Sequence, residues 1–93
     1  MDIEKQILVR NKLGLHARAA AKLVKEASVH TVDIQIGRPE LMVNAKSIMG
    51  ILMLAAAQGT QLSLHVQGES ADACDAAVQG IDALFANLFG EGE

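Results

Sequence analysis

The chain has 93 residues, enough for one small domain and too few for a second core. A chain of this size buries roughly 60 to 70% of its unfolded surface and has little left to wrap a large substrate cavity, so any chemistry belongs on the surface. Hydrophobic residues make up 51% of the chain, yet Phe85 and Phe89 are its only aromatics, and binding of nucleic acid by base stacking has no support. The net charge of −3 is split: residues 1–46 hold all eight basic residues and five acids, whereas residues 47–93 hold six acids and no base, an asymmetry that can steer a partner onto one face. The single cysteine, Cys74, has no partner for an internal disulfide and no second thiol for a zinc site, which fits a reducing compartment. The first residues carry no basic stretch leading into an apolar run, and no segment reaches the length of a membrane span. The expectation is a soluble cytoplasmic protein without membrane insertion.

In chain order, Ile3, Lys5, Ile7 and Val9 alternate with Glu4, Gln6, Leu8 and Arg10, which predicts a first strand. Asn11-Lys12-Leu13-Gly14-Leu15 breaks that period. From Ala17 onward the positions Ala20, Ala21, Val24 and Ala27 recur at helical spacing opposite Lys22, Lys25 and Glu26, predicting a first helix that ends near Ser28. Val32, Ile34 and Ile36 alternate with Asp33 and Gln35, and Gly37-Arg38-Pro39-Glu40 turns the chain into Leu41, Met42 and Val43, a hairpin pattern. Ser47 precedes the apolar run 48–54, a short second helix with Gly59 closing the segment. Leu62, Leu64 and Val66 alternate with polar residues in a fourth strand with one wet face. Ser70 then caps a long helix whose stripe runs through Ala73, Ala77, Ile81, Leu84, Phe85 and Leu88, with Asp72 facing the positive end of its dipole. Residues 90–93, Gly-Glu-Gly-Glu, are expected to fray. The order strand, helix, strand, strand, helix, strand, helix in one domain over residues 1–93 predicts an α+β fold, an antiparallel sheet covered on one face by helices.

Gly14-Leu15-His16-Ala17-Arg18 lies at the junction of a strand and a helix. The free N–H groups of a helix start bind anions, and the same dipole end favours a neutral, nucleophilic imidazole. A phosphoryl group on His16 would meet the backbone N–H groups that follow and the Arg18 guanidinium, with Gly14 clearing the approach. The alternative on these residues is an exposed capping histidine. Ser47 reads first as a helix cap. Ile48, Met49, Leu52 and Met53 cannot all point inward together with Ile51, Leu54 and Ala55, so part of this helix is expected to be exposed as a docking surface, the alternative being a broad core stripe. Arg18, Lys22, Lys25 and Lys46 are expected to rim that patch. His30 and His65 share no metal-ligand spacing, and neither a metal nor a cofactor is expected. Cys74, near the start of the last helix, reads as a half-buried structural thiol.

The stretch Asn11-Lys12-Leu13-Gly14-Leu15-His16-Ala17-Arg18, with Lys46-Ser47-Ile48-Met49-Gly50-Ile51 beginning 28 residues after Arg18, resembles HPr, the histidine phosphocarrier family of the bacterial phosphoenolpyruvate-dependent sugar phosphotransferase system. The resemblance extends over essentially the whole chain, including Gln58-Gly59-Thr60 and the final helix. It implies an open-faced sandwich, a four-stranded antiparallel sheet with three helices on one side. It also implies a monomeric carrier, not an enzyme, that accepts a phosphoryl group from phospho-enzyme I on Nδ1 of His16 and passes it to enzyme II A domains. Arg18 matches the active-site arginine, and Ser47 the serine phosphorylated in many members by an ATP-dependent HPr kinase/phosphorylase. A phosphate at Ser47 adds about −1.5 to −2 charge beside the apolar docking residues Ile48, Met49, Leu52 and Met53. The family commonly has proline where this chain has Ala19, which puts the transfer rate in doubt while leaving the helix intact. Two other classes stay open: a mainly regulatory member similar to the nitrogen-related branch, without sugar transport, and a small-molecule-binding regulatory domain of similar element order.

Overall fold

The computed structural model describes residues 1–91. Asp2–Leu8 forms strand β1, Asp33–Arg38 β2, Leu41–Asn44 β3 and Gln61–Gln67 β4; the helices are α1 (Ala17–Ser28), α2 (Ile48–Met53) and α3 (Ala71–Ala86), followed by a 3-10 turn at Leu88–Gly90. The strands form one antiparallel sheet in the order β1-β4-β2-β3. β2 and β3 are the expected hairpin, turning at Pro39 and Glu40. Register is set by one apolar face: Ile3 and Ile34 flank Val66, and Lys5 and Ile36 flank Leu64. A slip of one residue would turn this whole set to the opposite face. That other face is polar, with His65 between Glu4 and Gln35.

The three helices cover the apolar face of the sheet, giving the expected open-faced α+β sandwich. Ile7, Ile34, Ile36, Leu62, Leu64 and Val66 of the sheet form one core with Leu23 of α1, Ile51 of α2, and Ile81 and Phe85 of α3. Among the described residues no helix is long and apolar enough to cross a membrane. The buried face of α1 is Ala19, Ala20, Leu23 and Ala27. Ala21, read from the sequence as core, is exposed, because the stripe is centred on Leu23, the one large apolar side chain on that side. Ala19 has no solvent exposure and sits inside an intact first turn. Cys74 is fully buried rather than half-buried.

α2 ends at Met53, well before Gly59. Leu54 and Ala56 are buried, and Ala55 between them takes the left-handed φ of 47° that reverses the chain. The Arg38 guanidinium donates to the Leu54 carbonyl at 2.8 Å, satisfying an acceptor that the short helix leaves free.

The segment after α3 departs most from the sequence reading. Leu88 and Phe89 both adopt left-handed φ, 57° and 54°, and Gly90 follows at 74°. Each non-glycine residue held there costs on the order of 1–3 kcal/mol. Phe89 is 1% exposed and meets Phe85 edge to face at a ring separation of 4.8 Å. Burial and the aromatic contact together return roughly 2–4 kcal/mol, of the same size as the strain. Lys22 further donates to the Phe89 carbonyl at 2.6 Å. Gly90 and Glu91, expected to fray, are therefore held against the body of the protein, while Gly92 and Glu93 lie outside the described residues.

Candidate functional site

The loop between β1 and α1 is built around Asn11, the one fully buried polar residue among those described. Its Nδ2 donates to the Gly14 carbonyl at 2.7 Å, and the Gly14 N–H returns a bond to the Asn11 carbonyl at 3.1 Å. Gly14 has φ 68°, and a Cβ there would lie 2.4 Å from the Ala56 carbonyl oxygen. The sequence reading gave Gly14 the task of clearing the approach to His16; its observed task is to let the loop pack against residues 56 and 57. Leu15 is buried and its N–H donates to the Ala56 carbonyl, which anchors the backbone one residue before His16.

His16 is the N-cap of α1, with extended backbone, and its carbonyl accepts from the Ala20 N–H at 2.8 Å. Its Nδ1 accepts from the Arg18 N–H at 3.3 Å. Its Nε2 lies 2.5 Å from Oε2 of Glu91, the shorter and charge-assisted of the two contacts. One ring nitrogen facing an N–H and the other facing a carboxylate fixes the proton on Nε2 and leaves the lone pair on Nδ1. The His16 side chain is 26% exposed and that of Glu91 10%.

Glu91 also accepts from Asn11 Nδ2 at 3.0 Å through Oε1. Burial pushes its carboxyl up, but hydrogen bonds from Asn11 and His16, with the nearby imidazole and the charge of Lys22, outweigh burial and hold it below the usual carboxylate range. Arg18 is exposed and shares an open cleft with Lys12, Leu13, Lys22, Gly90 and Glu91.

Ser47 is the N-cap of α2, its Oγ accepting from the Gly50 N–H at 3.2 Å. α1 and α2 pack together, so the two capped helix starts belong to one layer. Ile48, Met49, Leu52 and Met53 are 40%, 67%, 37% and 64% exposed, an apolar surface around the single buried residue of α2, Ile51. The expected basic rim is only partly available, since Lys46 donates to the His30 carbonyl at 2.7 Å and Lys22 is spent on Phe89. His30 pairs with Glu26 at 2.8 Å, within its own layer. Glu91 and the role of Asn11 went unread in the sequence. The available signal was Phe89 followed by Gly90, a large apolar residue with a turn former just past a helix end.

The family described as "PTS HPr component phosphorylation site" matches residues 3–87. The phosphocarrier protein HPr of Pseudomonas putida is 50% identical over 91 residues, covering 96% of this chain and 97% of that one. Among solved structures, HPr-C-His from Thermoanaerobacter tengcongensis superposes with a TM-score of 0.88 at 38% identity, covering 96% and 97% of the two chains. An HPr dimer from the same organism gives a TM-score of 0.74 at 39% identity, covering 91% and 94%. A small open sheet and relatives of this kind define a phosphocarrier protein rather than a catalytic enzyme. The chain belongs to the HPr family of the phosphotransferase system.

Proposed function

We propose that His16 is the residue that carries the phosphoryl group, accepting it from phospho-enzyme I and donating it to enzyme II A domains. The observation behind this reading is the partly exposed imidazole at the start of α1, with its Nδ1 lone pair toward the helix N-terminus and its proton on Nε2. In the transfer, the Nδ1 lone pair forms the N–P bond as the donor's bond to phosphorus breaks, and the proton stays on Nε2. The Arg18 N–H, released from Nδ1, then turns to a phosphoryl oxygen, and the exposed Arg18 guanidinium binds the others. Transfer between two protein nucleophiles needs access and temporary charge stabilisation rather than a closed cavity.

Ile48, Met49, Leu52 and Met53 form the docking surface used by successive partners, and HPr kinase/phosphorylase modifies Ser47 to weaken that docking. The carrier works as a cytoplasmic monomer that neither binds nucleic acid nor inserts into a membrane. Incubation with enzyme I and phosphoenolpyruvate, followed by intact mass, tests the central assignment. One acid-labile phosphoryl group is expected on the native chain and none on His16→Ala, whose fold should persist at a cost of about 1–3 kcal/mol for the lost cap and the lost partner of Glu91. An adduct that survives in His16→Ala would reject the assignment. No adduct on the native chain would shift the reading to regulation through Ser47.

A further inference from the structure

The segment after α3 is held in place at considerable conformational expense, and what that achieves is the placement of one carboxylate. Leu88 and Phe89 sit in left-handed backbone, Phe89 is buried against Phe85, and Lys22 ties the Phe89 carbonyl to α1. Two residues later the Glu91 carboxylate reaches His16 and Asn11, with a side chain only 10% exposed. Strained backbone persists where the surroundings over-determine it, and it concentrates at functional positions.

Asn11 supports the same placement. Its Nδ2 donates to both the Gly14 carbonyl and Glu91, while its buried Oδ1 has no hydrogen-bond partner. An orphaned buried oxygen is costly, so the amide is oriented for its two donors. One of these goes to the loop that presents His16 and the other to the carboxylate. The arrangement ties the β1–α1 loop, the imidazole and the segment after α3 into one unit.

We propose that Glu91 is a positioning residue for phosphoryl transfer: its carboxylate takes the Nε2–H of His16 and fixes the ring so that the Nδ1 lone pair is held at the start of α1, against the Arg18 N–H. A carboxylate behind a histidine both orients the ring and increases the basicity of the far nitrogen, as in carboxylate–histidine pairs at metal and hydrolase sites. When Nδ1 bonds to phosphorus, the Nε2–H remains, and Glu91 keeps its partner through the transfer. The charged residues lining the cleft beside this pair are Lys12 from the loop, Arg18 and Lys22 from α1, and Glu91 itself.

This inference rests on the reading of His16 as the phosphoryl carrier, and the experiment separates the two. The full chain, 15N-labelled at histidine, is compared with Glu91→Gln and Glu91→Ala. In the native protein the Nε2 proton of His16, shielded by the carboxylate, should give a low-field resonance with slowed exchange, and both variants should lose it. The initial rate of phosphoryl acceptance from enzyme I should fall about tenfold in Glu91→Gln, measured at a temperature where the variant, somewhat less stable than the native chain, remains folded. Glu91→Asp should restore part of the rate. Loss of resonance and rate together supports the proposal. A resonance kept in Glu91→Gln, or a native rate in that variant, overturns it. If His16→Ala still accepts the group, the reading of His16 fails separately, and the resonance still decides whether Glu91 holds the ring.

Discussion

At the scale of single residues, the arrangement around His16 depends on its neighbours Gly14 and Glu91. Gly14 combines a left-handed φ with a backbone approach that a methyl group would block, so Gly14→Ala should cost about 2–4 kcal/mol in urea unfolding. A loss below about 1 kcal/mol would show that the loop relaxes at little expense. Glu91 makes a pH-dependent contribution whose sign follows from its lowered carboxyl. A carboxylate stabilised in the fold adds stability above its unfolded titration range, and that stability is lost as pH falls through the lower folded value. Native stability should therefore drop more steeply than that of Glu91→Gln between about pH 5 and pH 2. Parallel curves would mean that the contacts of Glu91 add nothing to the fold. Neither residue's role could be read from local pattern. Gly90-Glu91-Gly92-Glu93 has the composition of a solvated tail, and nothing near Glu91 in sequence signals partners 75 and 80 positions away.

At the scale of elements, the strands and helix starts were the most legible parts. Two-residue alternation gave the strands and their apolar face, and Ser47 and Ser70 both cap helices through their side-chain oxygens. Helix ends were harder, because α2 closes on a left-handed alanine rather than a glycine and is completed by Arg38 from another element. The face of α1 was misread toward Ala21 because small residues occupy both sides of that helix, leaving tertiary packing around Leu23 to decide. The cap and the proposed regulatory role of Ser47 can be separated. Ser47→Ala removes the acceptor and should cost about 1 kcal/mol, whereas Ser47→Asp keeps a capping oxygen and should stay within about 0.5 kcal/mol of native stability. Only the aspartate variant should weaken enzyme I docking, several-fold in titration calorimetry, and an unchanged affinity would remove the case for Ser47 as a switch.

At the scale of the molecule, the fold divides its surfaces. The outer face of the sheet is polar, while the helical side carries the exposed apolar residues of α2 and the partly exposed His16. Met49 and Met53 hold little of the core together, so Met49→Ala with Met53→Ala should change stability by less than about 0.5 kcal/mol. The same pair should weaken enzyme I binding by more than about 1 kcal/mol, roughly fivefold or more. Equal binding by the double variant would place docking elsewhere. The buried thiol of Cys74 has a different consequence. As the chain's single sulfhydryl, sealed beneath the first turns of α3, it reacts with a thiol reagent only when that end of the helix lifts from the sheet. Its labelling rate in native buffer therefore clocks the opening of one corner of the protein, with no residue substituted.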